Sequence, residues 1–153
     1  MNDIKALFSN YVLNVSLISW LSAQVLKTLF NYAKTKKFNP ERLVGAGGMP
    51  SAHSASVCGL TIAIARSQGF ASPLFAVCFL LAAIVMYDAM GVRRQAGEHA
   101  RVINMIVRKN KNYVTYMPKD KNGLKEFLGH TPLEVMAGAM LGILTAMLVP
   151  IGT

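Results

Sequence analysis

The sequence predicts an all-α integral membrane protein, a bundle of about four transmembrane helices that forms one domain over residues 1–153. Three observations indicate this class. Hydrophobic residues make up 53% of the chain and charged residues only 15%, against about 25% in soluble proteins. The net charge of +9 is concentrated in two short segments. Four apolar runs approach the ~20 residues that cross a bilayer.

The four runs lie at about residues 11–33, 50–69, 70–92 and 132–151. The third and fourth are the most apolar and carry one formal charge each. The first contains Gln24 and Lys27, and the second contains His53 and Arg66, so these groups are expected to face the bundle interior or water. A buried soluble bundle is the alternative, but four such runs leave few residues to cover a soluble core.

The first run lies where a signal peptide would lie, but its basic n-region is weak and it holds Gln24 and Lys27. We therefore expect it to be retained. Gly138 and Gly142 form a GxxxG spacing in the fourth run. This spacing permits close helix contact, either within the bundle or between the subunits of a homodimer.

Basic residues cluster in segments 34–42 and 93–125, and only Lys5, Lys27 and Arg66 lie elsewhere. With four spans, both segments emerge on the same side of the membrane. The positive-inside rule then predicts a multi-pass cell-membrane protein with both segments in the cytoplasm and both termini outside. Cations that serve to bind a phosphate would bias this rule.

Residues 93–108 are expected to continue as an amphipathic surface helix that attracts anionic lipid headgroups. Its predicted apolar side consists of Ala96, Ala100, Ile103 and Val107. Residues 109–123 are predicted to form a polar loop. Nucleic-acid binding is disfavoured, because the charge is tethered at the membrane and no binding motif accompanies it.

A glycine-rich segment at residues 45–48 leads into the second run. Gly48 lets the backbone approach a ligand closely, and Pro50 suits the first position of a helix. The positive end of that helix favours an anion, to which Ser51 would add a hydroxyl and His53 a proton. A capped helix with an incidental histidine is the alternative.

The segment that precedes the fourth run contains His130 and Glu134. In the functional interpretation, His130 is a nucleophile or base at the membrane surface and Glu134 orients its imidazole. Thr131, Pro132 and Glu134 also match a capping box, which explains the carboxylate without any chemistry. Both interpretations are compatible with the spacing.

Asp88 precedes the adjacent Arg93 and Arg94 at the end of the third run. Two guanidiniums beside an intramembrane carboxylate suggest an anion clamp with an internal counter-charge. A positive-inside anchor is the alternative. Lys27 and Lys34 lie at the same predicted end, where they reach the same site or extend toward the membrane surface.

Together, these groups lie on one predicted side of the membrane and suit phosphoryl transfer. Cations would stabilise the equatorial oxygens, one histidine would attack phosphorus, and the other would protonate the leaving oxygen. No cofactor or metal is expected, because lysine and arginine neutralise the charge. A metal site would have to draw on side chains whose spacing matches no common pattern, namely His53, Asp88, His130 and Glu134.

The segments GGMPSAHSA, YDAMGVRRQAGEHA and LGHTPLEVMAG resemble, in order and spacing, the divergent branch of the type 2 phosphatidic acid phosphatase superfamily. The resemblance covers about residues 15–145 and implies a helical membrane protein of the lipid-phosphatase class. It assigns His53 as the acid for the leaving group, His130 as the nucleophile that forms a phosphohistidine, and Glu134 as its orienting partner.

The chain departs from the superfamily pattern of K-x6-R-P, P-S-G-H and S-R-x5-H-x3-D at several positions. Leu124 stands where the last motif expects a phosphate-binding arginine, so Arg93 or Arg94 would supply that charge from another helix. Lys27 and Lys34 fit the first motif only with lysine in place of arginine and without the proline.

His99 is the alternative nucleophile, because Arg93-x5-His99 fits the first half of the last motif. Ile103 stands where the acid of that motif should follow, so His130 is preferred.

The leading functional prediction is a metal-independent phosphatase that acts on a lipid phosphomonoester or diphosphate of the phosphatidyl or polyprenyl type. The alternative is a non-catalytic lipid-phosphate-binding protein, a scaffold or flippase component that uses the same cations. A vanadate-dependent haloperoxidase fits poorly. Larger superfamily members usually have six spans, so a homodimer is a reasonable hypothesis for completing the site.

Overall fold

A computed structural model describes residues 2–36, 47–109, 123–124, 126 and 129–151. Over these ranges every regular element is helical and no strand occurs, which confirms the all-α prediction. The basic segment 34–42 and the polar loop 109–123 fall largely outside the described residues. The helices in the described ranges are α1 (Asn2–Phe8), α2 (Tyr11–Thr35), α3 (Ala52–Gln68), α4 (Pro73–Met90), α5 (Val92–Lys109) and α6 (Pro132–Leu148).

Local capping explains where the helices begin. The side chains of Asn10, Ser72 and Thr131 accept backbone N–H bonds at the starts of α2, α4 and α6. Helix α3 departs from the prediction, because Ser51 is its N-cap and Pro50 lies one residue outside. The Ser51 hydroxyl accepts the Ser54 N–H, so the first helical residue is Ala52 and not Pro50.

Helix α3 lies at the centre of the bundle, against α2, α4 and α6. Its buried residues are small, and they include Ala52, Ala55 and Ala63. A Cβ added to Gly138 would overlap the Ser51 carbonyl, and one on Gly142 would overlap the Ala55 carbonyl. The GxxxG spacing therefore serves contact between α6 and α3 inside the bundle, where small residues let backbones approach.

Large apolar side chains cover the outside of the bundle. On α4, Leu80 is 61% exposed and Ile84 66%, while Met136 and Met140 project in the same way from α6. A soluble protein rarely exposes so large an apolar surface. Small residues inside and large apolar residues outside are the arrangement expected of a helical bundle surrounded by lipid.

Among the residues that the structure describes, two segments are long and apolar enough to cross a membrane, Tyr11–Ala33 and Pro73–Lys109, the second of which runs from α4 into α5. Helix α6 is apolar but has only 17 residues. Helix α3 also has 17 residues, and the polar residues His53, Arg66 and Gln68 near its ends lower its mean hydropathy. The total of four spans stays a prediction.

Helix α5 is amphipathic, as predicted, but its inward face differs in detail. Ala100 is buried together with Gly97 and Asn104, whereas Ala96 and Ile103 are exposed. The predicted apolar side is therefore divided, because α5 turns Asn104 toward Leu124 and leaves Ile103 on the outside.

Arg66 connects three helices at the end of the bundle that lies away from His53. Its guanidinium donates to the carbonyls of Ala146 and Val149 and, at 2.8 Å, to the Tyr11 hydroxyl. These carbonyls belong to the C-terminal turn of α6, where cations are favourable. The polar head of Arg66 therefore joins α2, α3 and α6, as expected of a cation within an apolar run.

We expect Gly142→Leu to destabilise the protein by about 3 kcal/mol, since the new side chain must displace the α3 backbone at Ala55. Met140→Leu, on the exposed side of the same helix, is the matched control and should change little. Thermal unfolding in detergent measures both. Equal melting temperatures for the two variants would contradict the close α3–α6 contact.

Candidate active site

Backbone hydrogen bonds bring the three sequence motifs to one end of the bundle. The Ser51 N–H donates to the Glu134 carbonyl at 3.0 Å, which joins the starts of α3 and α6. The His130 N–H donates to the Ala89 carbonyl at 2.9 Å, which joins the last turn of α4 to the residue before α6. The histidine motifs and the arginine motif are therefore neighbours in space.

Gly129 fits between His130 and the first turn of α5. It adopts φ +89°, a region that favours glycine, and a Cβ at this position would overlap the Arg94 backbone. Only glycine lets the chain pass so close to α5. This contact places Arg93 and Arg94 beside His130, and sequence reasoning gave Gly129 no such role.

Glu134 serves both of the functions that the sequence left open. Its Oε2 accepts the Thr131 N–H at 2.9 Å, which completes the capping box, and the same oxygen lies 3.2 Å from His130 Nδ1. An ionised carboxylate only accepts hydrogen bonds, so Nδ1 carries the proton. The lone pair of His130 is therefore on Nε2, the ring nitrogen that is available for attack.

His130 is buried, with 4% of its surface exposed. Burial lowers the pKa of its imidazole below the ordinary value, the hydrogen bond and charge of Glu134 oppose this shift, and the charges of Lys27 and His53 add to it. The net effect is a lowered pKa, so the ring is neutral at neutral pH. A neutral ring is the form that can act as a nucleophile.

His53 and His130 line the same cavity, which has a volume of about 240 Å³. The sequence predicted that both imidazoles would meet at one site, and the structure brings them to a common space. Gly129 also contributes to this cavity. The remaining lining residues come from α4 and the start of α5, namely Ile84, Val85, Asp88, Ala89 and Arg93.

His130 also lines a second cavity, which has a volume of about 530 Å³. Lys27, which is 4% exposed, reaches it from α2, and Gly48 and Arg94 line it as well. Glu98 and Glu126 also line it, and sequence reasoning missed both. Glu98 lies inside the arginine motif, which was the available signal, whereas nothing local to Glu126 indicated its place.

The two arginines do not form one clamp. Arg93 Nε donates to Asp88 Oδ2 at 2.6 Å beside the smaller cavity, which realises the predicted counter-charge. Arg94 instead lines the larger cavity. Successive residues of a helix point about 100° apart, so adjacent arginines on α5 face different spaces.

Two further residues that the sequence singled out, Ser51 and His99, do not line either cavity. Ser51 is fully buried and accepts hydrogen bonds from the Ser54 N–H and hydroxyl, so its cap role replaces the predicted contact with phosphate. His99 is exposed on α5 and lines neither of the two cavities. The Lys34 side chain lies outside the described part of the structure.

The described residues contain no group of three or more His, Cys, Asp or Glu side chains that could hold a metal ion. The four residues considered for a metal therefore form no such group. His130 is instead hydrogen-bonded to Glu134, and Asp88 to Arg93.

Fold and site together define a helical membrane protein with a two-histidine polar site at one end of its bundle. Residues 8–145 match the model of the divergent PAP2 family, PAP2 being type 2 phosphatidic acid phosphatase, and the chain belongs to this family. It is 41% identical over 146 residues to the uncharacterized membrane protein YuiD of Bacillus subtilis (strain 168), covering 90% of this chain and 92% of that protein. No solved structure matches the chain. The predicted family is confirmed.

We expect Glu134→Gln to lower the pKa of His130 further, because the carboxylate that stabilises the imidazolium is lost while the amide can still complete the capping box. An NMR titration of the His130 imidazole nitrogens measures this. Glu98→Gln, which removes a carboxylate of the same cavity that has no hydrogen bond to His130, is the control. An unchanged or raised pKa in Glu134→Gln would contradict the orienting contact.

Proposed function

We propose that the protein hydrolyses the phosphate ester of a membrane lipid, a phosphomonoester or diphosphate of the phosphatidyl or polyprenyl type, through a phosphohistidine. The observation that carries the proposal is the cavity that His53, Arg93 and His130 share. A nucleophile, an acid and a cation around one space are the groups that phosphoryl transfer requires.

In the first step, His130 Nε2 attacks phosphorus, forming an N–P bond while the bond from phosphorus to the lipid oxygen breaks. His53, which begins the step as an imidazolium, donates a proton to that oxygen, so the lipid leaves as an alcohol, or as a monophosphate from a diphosphate. Glu134 stabilises the positive charge of the phosphorylated ring through Nδ1–H. The Nδ1–H bond also holds the ring in place for the second step.

In the second step, a water molecule enters the space that the lipid oxygen has left. His53, now neutral, takes a proton from this water as its oxygen attacks phosphorus. The N–P bond breaks, inorganic phosphate departs, and both histidines return to their starting states. The reaction consumes one water and requires no oxidant or reductant.

Arg93 and Arg94 supply the charge that the superfamily pattern expects at Leu124. Gly129 contacts the α5 backbone at these arginines, and each of the two cavities that His130 lines is also lined by one of them. Guanidiniums that are already in place stabilise the charge of the equatorial oxygens. The ion pair with Asp88 holds Arg93 in position.

The surroundings of His53 favour a lipid as the leaving group. Ile84, Val85 and Ala89 make much of the smaller cavity apolar, and Ile84 is 66% exposed on the outside of α4. This cavity therefore extends from the two imidazoles to the surface that faces lipid. A water-soluble phosphate ester would gain little from such a wall.

Location and assembly belong to the same proposal. By the positive-inside rule, the basic segments support a site on the cytoplasmic face of a multi-pass cell-membrane protein. A homodimer stays a prediction, because Gly138 and Gly142 are already used between α6 and α3. The departure at Leu124 favours the alternative of a lipid-phosphate binder without turnover, and phosphate release decides between the two.

We expect His130→Ala to abolish phosphate release from a lipid phosphate in detergent, and His53→Ala to slow it about 10²- to 10⁴-fold. The His53 defect should shrink with a p-nitrophenyl ester, whose leaving group needs no proton. The His130 defect should persist with both substrates, since the nucleophile is lost.

His99→Ala is the matched control for these variants, because His99 is exposed and lines neither cavity. It should retain full release. Loss of activity in His99→Ala with retention in His130→Ala would identify the other nucleophile. Lipid-phosphate binding without release by the wild type would favour the non-catalytic alternative.

We expect Arg93→Ala to reduce kcat by about 10²- to 10³-fold, because a cation beside the transferred group is lost. Arg93→Lys should recover only part of this rate, since an ammonium does not reproduce the planar fork. Lys5→Ala, which removes an exposed cation on α1, is the control. A wild-type kcat in both Arg93 variants, as in the control, would exclude Arg93 from the reaction.

A further inference from the structure

Helix α5 is in contact with the site at one end and carries an exposed apolar face along its length. We propose that α5 docks on the surface of an anionic phospholipid bilayer, and that this contact sets the position of Gly129 and His130. The docking is independent of the proposed function, whereas its consequence for catalysis rests on it.

The apolar face of α5 consists of Val92, Val102, Ile103 and Ile106. Their side chains are between 44% and 68% exposed, and they fall on one side of the helix at 100° per residue, with the exposed Gln95 and His99 between them. In α5, only Gly97, Ala100 and Asn104 are buried. An apolar face of this kind on an otherwise charged helix is typical of helices that lie in the membrane interface.

The charge of α5 indicates what covers this face. The helix carries five basic residues, Arg93, Arg94, Arg101, Arg108 and Lys109, and one acidic residue, Glu98. Arg101, Arg108 and Lys109 are exposed outside the site. A second copy of the chain would bring the same positive charge against them, whereas anionic headgroups would neutralise it.

Helix α5 also begins where the membrane-facing surface ends. Helix α4 ends at Met90, and Gly91 has φ −97° and ψ −100°, outside the helical region. The two helices are therefore separate, and Val92 follows directly on the apolar outer surface of α4. The apolar face of α5 thus continues a surface that already faces lipid.

Two contacts transmit the position of α5 to His130. At its start, the Arg94 backbone meets Gly129 so closely that no Cβ fits between them. Further along, the Asn104 amide accepts the Leu124 N–H and donates to the Leu124 carbonyl, both at 2.9 Å, and also donates to Glu126. Docking of α5 therefore acts on Leu124, Glu126 and Gly129, which precede His130 in the chain.

The docking test attaches an environment-sensitive fluorophore at Ile103→Cys, with Cys58 and Cys78 replaced by alanine, in nanodiscs of phosphatidylcholine with or without phosphatidylglycerol. We expect a blue shift only in the anionic discs. The double variant Arg101→Glu/Arg108→Glu should reduce the equilibrium constant for docking of α5 on the anionic bilayer by at least about fivefold for each charge reversed. Lys5→Glu, a charge reversal on α1, should leave it unchanged.

A label at Leu80→Cys is the reference, since Leu80 is exposed on α4 and should be in lipid in both kinds of disc. The docking proposal is wrong if the Ile103 label stays in water in anionic discs or is equally buried in neutral ones. It is also wrong if the shift depends on the number of protein copies per disc, because a second copy would then cover the face.

Backbone hydrogen exchange of residues 123–131 in wild-type protein measures whether docking of α5 affects the chain around Gly129 and His130. This measurement does not depend on catalysis. Anionic discs should slow exchange there, and Asn104→Ala should remove this effect while the Ile103 label still shifts. Exchange that is the same in both discs would overturn the coupling. If exchange and label respond but no phosphate is released, the proposed function fails and the docking stands.

Discussion

The close approach of α6 to α3 is the contact on which the rest of the structure depends. Gly138 and Gly142 leave no room for a side chain against the α3 backbone, so the two helices meet in one register. That register lets the Ser51 N–H reach the Glu134 carbonyl. His53 is two residues from Ser51 and His130 is four residues from Glu134 in the chain. The packing of the bundle interior therefore also determines the geometry of the site.

A single carboxylate oxygen joins the stability of α6 to the chemistry of His130. Glu134 Oε2 accepts both the Thr131 N–H and the imidazole Nδ1–H. The capping box holds the carboxylate rigidly, and a rigid acceptor orients the ring better than a free side chain would. The structural and functional interpretations of this motif are therefore two consequences of one arrangement.

Several parts of the site follow from spacing along one helix turn and could be predicted, including the cap at Thr131 and the pairing of His130 with Glu134. Other parts depend on residues far apart in the chain and could not. Glu126 and Asn104 meet only through the path of the chain before α6. Which cavity each of Arg93 and Arg94 lines depends on where the neighbours of α5 lie.

Composition and hydropathy by themselves determined an all-α membrane protein, and the three motifs determined its family, because both are encoded in local residue types and their order. Tertiary structure decided that α3 is central, that Ser51 is a buried cap, and that the two histidines share a cavity. These features depend on which backbones approach each other. Such contacts arise from the packing of distant small residues, which carry almost no hydropathic signal of their own.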